Sequence, residues 1–362
     1  MAMSPSLADR AAGAVVGALV GDALGLGPHW YYDLGALRRD FGPWIDGYTE
    51  PRAGRYHAGL KAGDLSQSGL ICLELLRSLV GRSGWDAGDF TARLDEKFLA
   101  RMDGAPYSGP GGYTNQGVRD AFAARRQGKP WGETGGFADT TEGAERAALV
   151  AAAHALDPMG GALAARENIL LTHADPFVAA LSLSFAIVVA ALVRGDALDA
   201  GLGGRLYAMV ERRELPFTHV VLAEKQGAGA AEPRAATATL TAPDGLLFPS
   251  HVWTAAKDPD VRIEPAWKAS LVYGLPCSIV CQLPAAYYLA SRFADDFASA
   301  VLHAVNGGGQ NMSRAMLAGT LVGARVGLAG IPERFVTGLS QGGEIAALAE
   351  ELGRQAAGRA LR

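Results

Sequence analysis

Four polar turns in the sequence border helices of small apolar residues, and they hold most of the side chains suited to bond-making chemistry. They run from Asp22 to Asp33, His57 to Gln67, Asp139 to Arg146 and Asn306 to Arg314. The carboxylates Asp22, Asp33 and Asp64 can activate water or balance positive charge, and His29 and His57 can exchange protons near neutral pH. The fourth turn differs in kind. Its run Asn306-Gly307-Gly308-Gly309-Gln310-Asn311-Met312-Ser313-Arg314 offers amides and an arginine at the point where a new helix starts, so the first groups of that helix face a common point. In a helical bundle, turns of this kind can converge on one end and build a cleft. Each also has a plainer reading: Asp22 as a turn residue, His29 and His57 as packed aromatics, Asp64 and Ser66 as helix caps, and Glu142 and Glu145 as partners of a helix dipole. In Thr172-His173-Ala174-Asp175-Pro176, Asp175 caps a helix that has proline at its first position.

The elements that carry these turns are helical. Leu7 to Val20 is a run of small and apolar residues with Gly13, Gly17 and Gly21 at four-residue spacing, a pattern tolerated where another helix approaches closely. An amphipathic helix over Leu70 to Val80 follows the Asp64–Gln67 turn, and Asp86 to Met102 leads to the aromatic, glycine-rich loop Tyr107 to Thr114. Helical patterns recur over Val118 to Arg126, Ala147 to Leu156, Gly161 to Leu171, Pro176 to Arg194 and Ala197 to Arg212. They return from Pro276 to Ser291, Ala294 to Val305, Pro332 to Leu339 and Gly343 to Gly358. Phe217 to Glu224 and Ala235 to Ala242, rich in Val and Thr, predict a hairpin-like excursion within 217–257. The expected fold class is therefore all-α with a small β insertion, in a single domain over 1–362, since no linker or charge run divides the chain.

Composition narrows the partners. The 362 residues are 49% hydrophobic and 19% charged, with a net charge of −4 and scattered arginines, so no basic stripe is available for nucleic acid. The three cysteines, Cys72, Cys277 and Cys281, have no metal-ligand set around them and read as thiols of a reducing, cytoplasmic compartment. Ala11 to Gly21 lacks the basic leader of a signal peptide, and Phe177 to Val193 reads as a buried helix, so no membrane partner is expected.

Taken in order, Gly21-Asp22-Ala23-Leu24-Gly25, Asp64-Leu65-Ser66-Gln67, Glu142-Gly143-Ala144-Glu145-Arg146, Thr172-His173-Ala174-Asp175-Pro176 and the final glycine turn resemble the ADP-ribosylglycohydrolase family over about Gly13 to Leu339. His29-Trp30-Tyr31-Tyr32-Asp33 and Asn306 to Met312 look closest to its J1-crystallin-like branch. The resemblance implies an all-α orthogonal bundle with a central cleft. It also implies hydrolysis of the glycosidic bond at C1″ of ADP-ribose with two magnesium ions.

Several positions depart from that pattern. Where family enzymes carry Thr-Asp-Asp-Thr, this chain has Gly63-Asp64-Leu65-Ser66, and where they carry Gly-Gly-Asp-Thr-Asp-Thr it has Gly308-Gly309-Gln310-Asn311-Met312-Ser313. The glutamate usual after the first motif corresponds to His29. Magnesium takes hard oxygen ligands, so no metal and no cofactor are expected. Glu142 and Glu145 in place of a phosphate-binding turn favour a ligand less anionic than ADP-ribose, such as a nucleoside or another N-glycoside. Under metal-free hydrolysis through an oxocarbenium-like state, Asp64 is the expected base, with Asp22 or Asp33 second, and His29 or His57 the acid. Trp30, Tyr31, Asp33, Ser66, Gln67, Tyr113, Glu142, Arg146, Asn306, Gln310, Asn311 and Arg314 are the expected ligand-binding residues. The competing expectation is a crystallin-like structural or ligand-binding protein without turnover.

Overall fold

A computed structural model describes residues 4–218, 240–241 and 243–359. In chain order its elements are α1 (Leu7–Leu26), α2 (Leu34–Phe41), α3 (Gln67–Gly81), α4 (Ala87–Lys97), α5 (Gln116–Arg126), α6 (Glu142–Ala153), α7 (Pro158–Leu170), α8 (Pro176–Arg194) and α9 (Leu202–Glu211). They continue with β1 (Phe217–Thr218), β2 (Leu240–Thr241), α10 (Phe248–Lys257), α11 (Ala269–Tyr273), α12 (Ile279–Arg292), α13 (Phe297–Asn306), α14 (Asn311–Val326), α15 (Glu333–Thr337) and α16 (Gly342–Gly358). The fold is all-α, as its sequence pattern predicts.

The bundle is built on α1 and α14. Every residue of α1 from Ala11 onwards is buried, because its small apolar residues leave no polar face to turn outwards. A Cβ placed on Gly17 would lie 2.2 Å from the carbonyl oxygen of Gly319, and one on Gly323 would lie 2.1 Å from that of Gly13. Main chain therefore meets main chain, which only residues without a side chain permit. Helices α3, α6, α8, α13 and α16 pack around this pair. Helix α8 is long and apolar enough to cross a membrane, but 89% of its apolar window is buried inside the bundle.

The β excursion differs from a hairpin. β1 and β2 pair in parallel, Phe217 with Leu240 and Thr218 with Thr241, and a parallel pair cannot be closed by a tight turn. Most of the two predicted strand stretches lies outside the described residues, and 248–257 is helical.

Candidate functional site

The glycine turn ties the N-terminal and C-terminal halves of the chain together. Gly308 and Gly309 adopt φ of 65° and 59°, and in that conformation the turn pairs with residues 30–31: Trp30 donates its amide to Gly309 at 3.1 Å, and Gly309 donates to Tyr31 at 2.8 Å. A Cβ on Gly308 would lie 2.7 Å from the Tyr31 carbonyl oxygen, so the pairing needs glycine there. This docking brings the Gln310 amide against His29. The Gln310 side chain lies 2.5 Å from His29 Nε2, His29 Nδ1 lies 2.7 Å from His57 Nε2, and His57 Nδ1 lies 3.2 Å from the Gly111 carbonyl oxygen. Gln310 Nε2 also reaches Ser313 Oγ at 2.8 Å. Burial pushes the His29 pKa far below its usual value, helped by His57, and burial pushes His57 down to about 4. Both imidazoles are therefore neutral at pH 7.

Aromatic rings form one wall beside this pair. Trp30, itself at a φ of 59°, stacks on His29 at 4.6 Å and meets Tyr56 and Tyr113 edge-on at 4.5 and 4.8 Å. Tyr107 stacks on Tyr56 at 6.2 Å. The rings touch each other, so a planar ligand would lie on the outer face of the wall and not between them. Tyr32 and Cys277 interact at the same edge, and the Cys277 thiol feels the Glu142 carboxylate.

Helix α6 supplies a pair of buried carboxyls, one turn apart on the same face. Glu142 accepts from the Thr140 hydroxyl and lies 3.3 Å from His173 Nε2. Burial opposes its ionisation, but His173 and Thr140 more than compensate, and its pKa falls below the usual carboxylate value. Glu145 lacks such a partner. It accepts from Thr141 at 2.7 Å, and burial together with the Glu142 charge pushes its pKa up to about 8. Arg146 is turned away, donating to Thr172 Oγ1 at 2.6 Å and to Asn168. Ser68, Cys72, Glu142, Glu145 and Arg146 line one small internal cavity.

Many of the residues singled out in the sequence hold the fold. Asp22 is fully buried and accepts from Ser66 N at 2.8 Å and Ser66 Oγ at 2.5 Å, anchoring the start of α3 to α1; burial raises its pKa to about 6. Gln67 donates to Pro110 and Thr114, holding the 107–114 loop. Asp64 is engaged by Ser340 Oγ at 2.5 Å and Lys61 N at 2.8 Å, in neither the histidine nor the glutamate cluster. Asp33 caps α2 in an exposed position, and Tyr31 donates to Asp40 beneath the Arg55 guanidinium. Asn306 pairs with the Ile45 main chain. Arg314 is fully buried and donates to the carbonyls of Ala304 and Gly308 and to Gln282, while Asn311 Nδ2 reaches the Val305 carbonyl. The histidines, Trp30, Tyr113, Gln310 and Glu142 are the predicted residues that border the wall and the carboxyl pair.

The family model for ADP-ribosylglycohydrolase matches residues 3–361. The chain belongs to the ADP-ribosylglycohydrolase family. Among solved structures, an ADP-ribosylglycohydrolase-related protein complex is similar with a TM-score of 0.62 at 20% identity, covering 97% of this chain and 99% of that one, which speaks for the fold alone. No curated protein matches the chain.

The two magnesium ions usual in an ADP-ribosylglycohydrolase do not fit the donor set present here. His29 and Gln310 occupy positions where family members carry carboxylates, and at 2.5 Å they bond to each other. Leu65 is buried, and Met312 packs so tightly on α1 that a Cβ on Gly25 would lie 2.3 Å from its Cα. Among the described residues no three His, Cys, Asp or Glu converge as metal ligands. Glu145, His173, Tyr56 and Tyr107 join these clusters although they are not among the catalytic or ligand-binding residues expected from the sequence. Glu145 follows Glu142 by three positions on a helix, a spacing that could have marked the pair, whereas nothing local linked Tyr56 and His173 to the cleft.

Proposed function

We propose that this ADP-ribosylglycohydrolase-family protein hydrolyses the N- or O-glycosidic bond of a ribosyl or nucleoside-type small molecule, without a binuclear magnesium centre and in a cytoplasmic setting. The observation that carries the reading is the opposite displacement of two neighbouring carboxyl groups: Glu142 held ionised by His173, Glu145 held protonated by burial. Two carboxyls whose environments separate their protonation states divide the labour of glycoside cleavage. Glu142 stabilises positive charge at the sugar C1 or takes a proton from the attacking water. Glu145 gives its proton to the leaving group. His29 and His57, neutral at pH 7, serve as poor acids there, and the aromatic wall offers a face for a planar leaving group. Ionised Glu142 disfavours a pyrophosphate in the same place, which supports a substrate less anionic than ADP-ribose.

The test is release of reducing sugar from a panel of nucleosides, para-nitrophenyl riboside and ADP-ribosyl compounds in the presence of a chelator. Glu142→Gln and Glu145→Gln are each expected to lower kcat about 100-fold or more, while Asp64→Asn stays within a few-fold of the parent. Full activity in Glu142→Gln, or loss confined to Asp64→Asn, overturns the assignment. The second reading, a crystallin-like protein without turnover, is favoured by the inward-turned bonds of Asp22, Asn306 and Arg314. Binding of a panel member with no product released supports it.

A further inference from the structure

We propose that Arg146, Thr172, His173 and Thr140 form one directed hydrogen-bond chain ending on Glu142 Oε2, with His173 fixed as its Nε2–H tautomer, and that Thr172 and His173 are positioning residues for Glu142. Arg146 Nη2 donates to Thr172 Oγ1 at 2.6 Å, and Thr172 Oγ1 lies 2.8 Å from His173 Nδ1. On the other side of the ring, Nε2 lies 3.2 Å from Thr140 Oγ1 and 3.3 Å from Glu142 Oε2. The Thr140 hydroxyl closes the chain by donating to Glu142 Oε2. The inference rests on Glu142 as the charged carboxyl of the proposed hydrolysis.

The two ends fix the direction. A guanidinium only donates and an ionised carboxylate only accepts, so every group between them takes one hydrogen and gives one. Thr172 Oγ1 receives the Arg146 hydrogen and turns its own to His173 Nδ1, which must accept. The proton of the ring is then on Nε2. Thr140, having given its hydrogen to Glu142, offers its oxygen to that Nε2–H. The opposite tautomer would turn the Nε2 lone pair towards the Glu142 carboxylate and displace the Thr172 hydroxyl hydrogen from Nδ1.

The fold holds this geometry from three sides. Main-chain bonds from Gly136 N to the Thr172 oxygen, 3.1 Å, and from Ala174 N to the Gly136 oxygen, 2.7 Å, fix the turn that carries His173. The ring lies against two glycines: a Cβ on Gly117 of α5 would sit 2.8 Å from His173 Cε1, and one on Gly143 of α6 would sit 3.3 Å from Nδ1. The ring is buried and clamped by main chain. Arg146 is also buried and bonds only to Thr172 and Asn168, so its charge acts on Glu142 along the chain. Arg146 has no site to accept a proton. A proton that Glu142 takes from water therefore cannot pass inwards and leaves towards the cleft.

The experiment is two-bond nitrogen–proton correlation of the full chain labelled with ¹⁵N-histidine at about pH 8, where an ordinary imidazole is neutral. His173 is expected as Nε2–H, with its bare Nδ1 shifted upfield by the Thr172 hydroxyl. Thr172→Val keeps the shape and removes that hydroxyl, so the Nδ1 resonance should move downfield to the position of an unbonded nitrogen, and Thr172→Ser should bring it back. With para-nitrophenyl riboside as the probe, Thr172→Val should lower kcat about tenfold at unchanged KM, and Thr172→Ser should stay within about twofold of the parent. An Nδ1–H ring in the parent, or an Nδ1 resonance indifferent to Thr172→Val, overturns the chain, and a change in KM alone overturns the positioning role. Should Thr172→Val fail to fold, the parent tautomer decides by itself. In a parent that releases no product the proposed hydrolysis fails, and the ring spectra still decide the chain.

Discussion

Glu145 stores a proton that the unfolded chain would release, and this has a sign. Its folded pKa of about 8 lies above the ordinary 4.5, so between those values the native state binds more protons than the unfolded state and stability falls as pH rises. Asp22, raised to about 6, acts in the same direction over a narrower range. Glu145→Gln removes the larger part: its melting temperature should exceed the parent's at pH near 8.5 and match it within about 1 °C near pH 5, as read by calorimetry at both values. Equal melting temperatures at alkaline pH would show that Glu145 ionises without penalty. His57 has the opposite sign. With a folded pKa of about 4 against 6.5, it stays neutral in the native state while the unfolded chain takes up a proton, so stability is lost as pH falls from 6.5 towards 4. The sequence marked these residues by type and turn position. It could not mark their protonation, because burial and the approach of Glu142, Ser313 and Asp22 set it.

The contact between α1 and α14 gives a sharper test at the scale of elements. Gly17→Ala gains up to about 1 kcal/mol of helix propensity, yet its Cβ would sit 2.2 Å from the Gly319 carbonyl oxygen, a main-chain atom that cannot rotate away. The helices must separate, so a net loss of about 2 kcal/mol or more is expected in chemical denaturation. Gly343→Ala in α16 is the control: a Cβ there meets nothing within 4 Å, and a gain of about 0.5 to 1 kcal/mol is expected. The four-residue glycine spacing in α1 already announced a close helix approach, and the small residues of α14 supplied its partner. The Val- and Thr-rich stretch after α9 shows, among its described residues, a parallel pairing, since β propensity reports fit to a half-buried surface and says little about which strand is the partner.

For the molecule as a whole, the mutual bond of His29 and Gln310 predicts indifference to divalent cations. Magnesium at millimolar concentration, or a chelator, should leave the melting temperature unchanged, whereas a bound ion at about 100 times its Kd would add roughly 2.7 kcal/mol and raise it by degrees. Such a rise would mean that a metal displaces the bond between His29 and Gln310.

The order of helices, the burial of α1 and α8 and the family's ordered motifs were fixed by the chain itself, because periodicity, capping and glycine spacing act among near neighbours. The bond between His29 and Gln310, 281 residues apart, and the separate fates of Glu142 and Glu145 were decided only by the tertiary structure. Hydrogen bonding and the cost of burying charge depend on distance in space and on excluded water, neither of which is a property of residues taken in order.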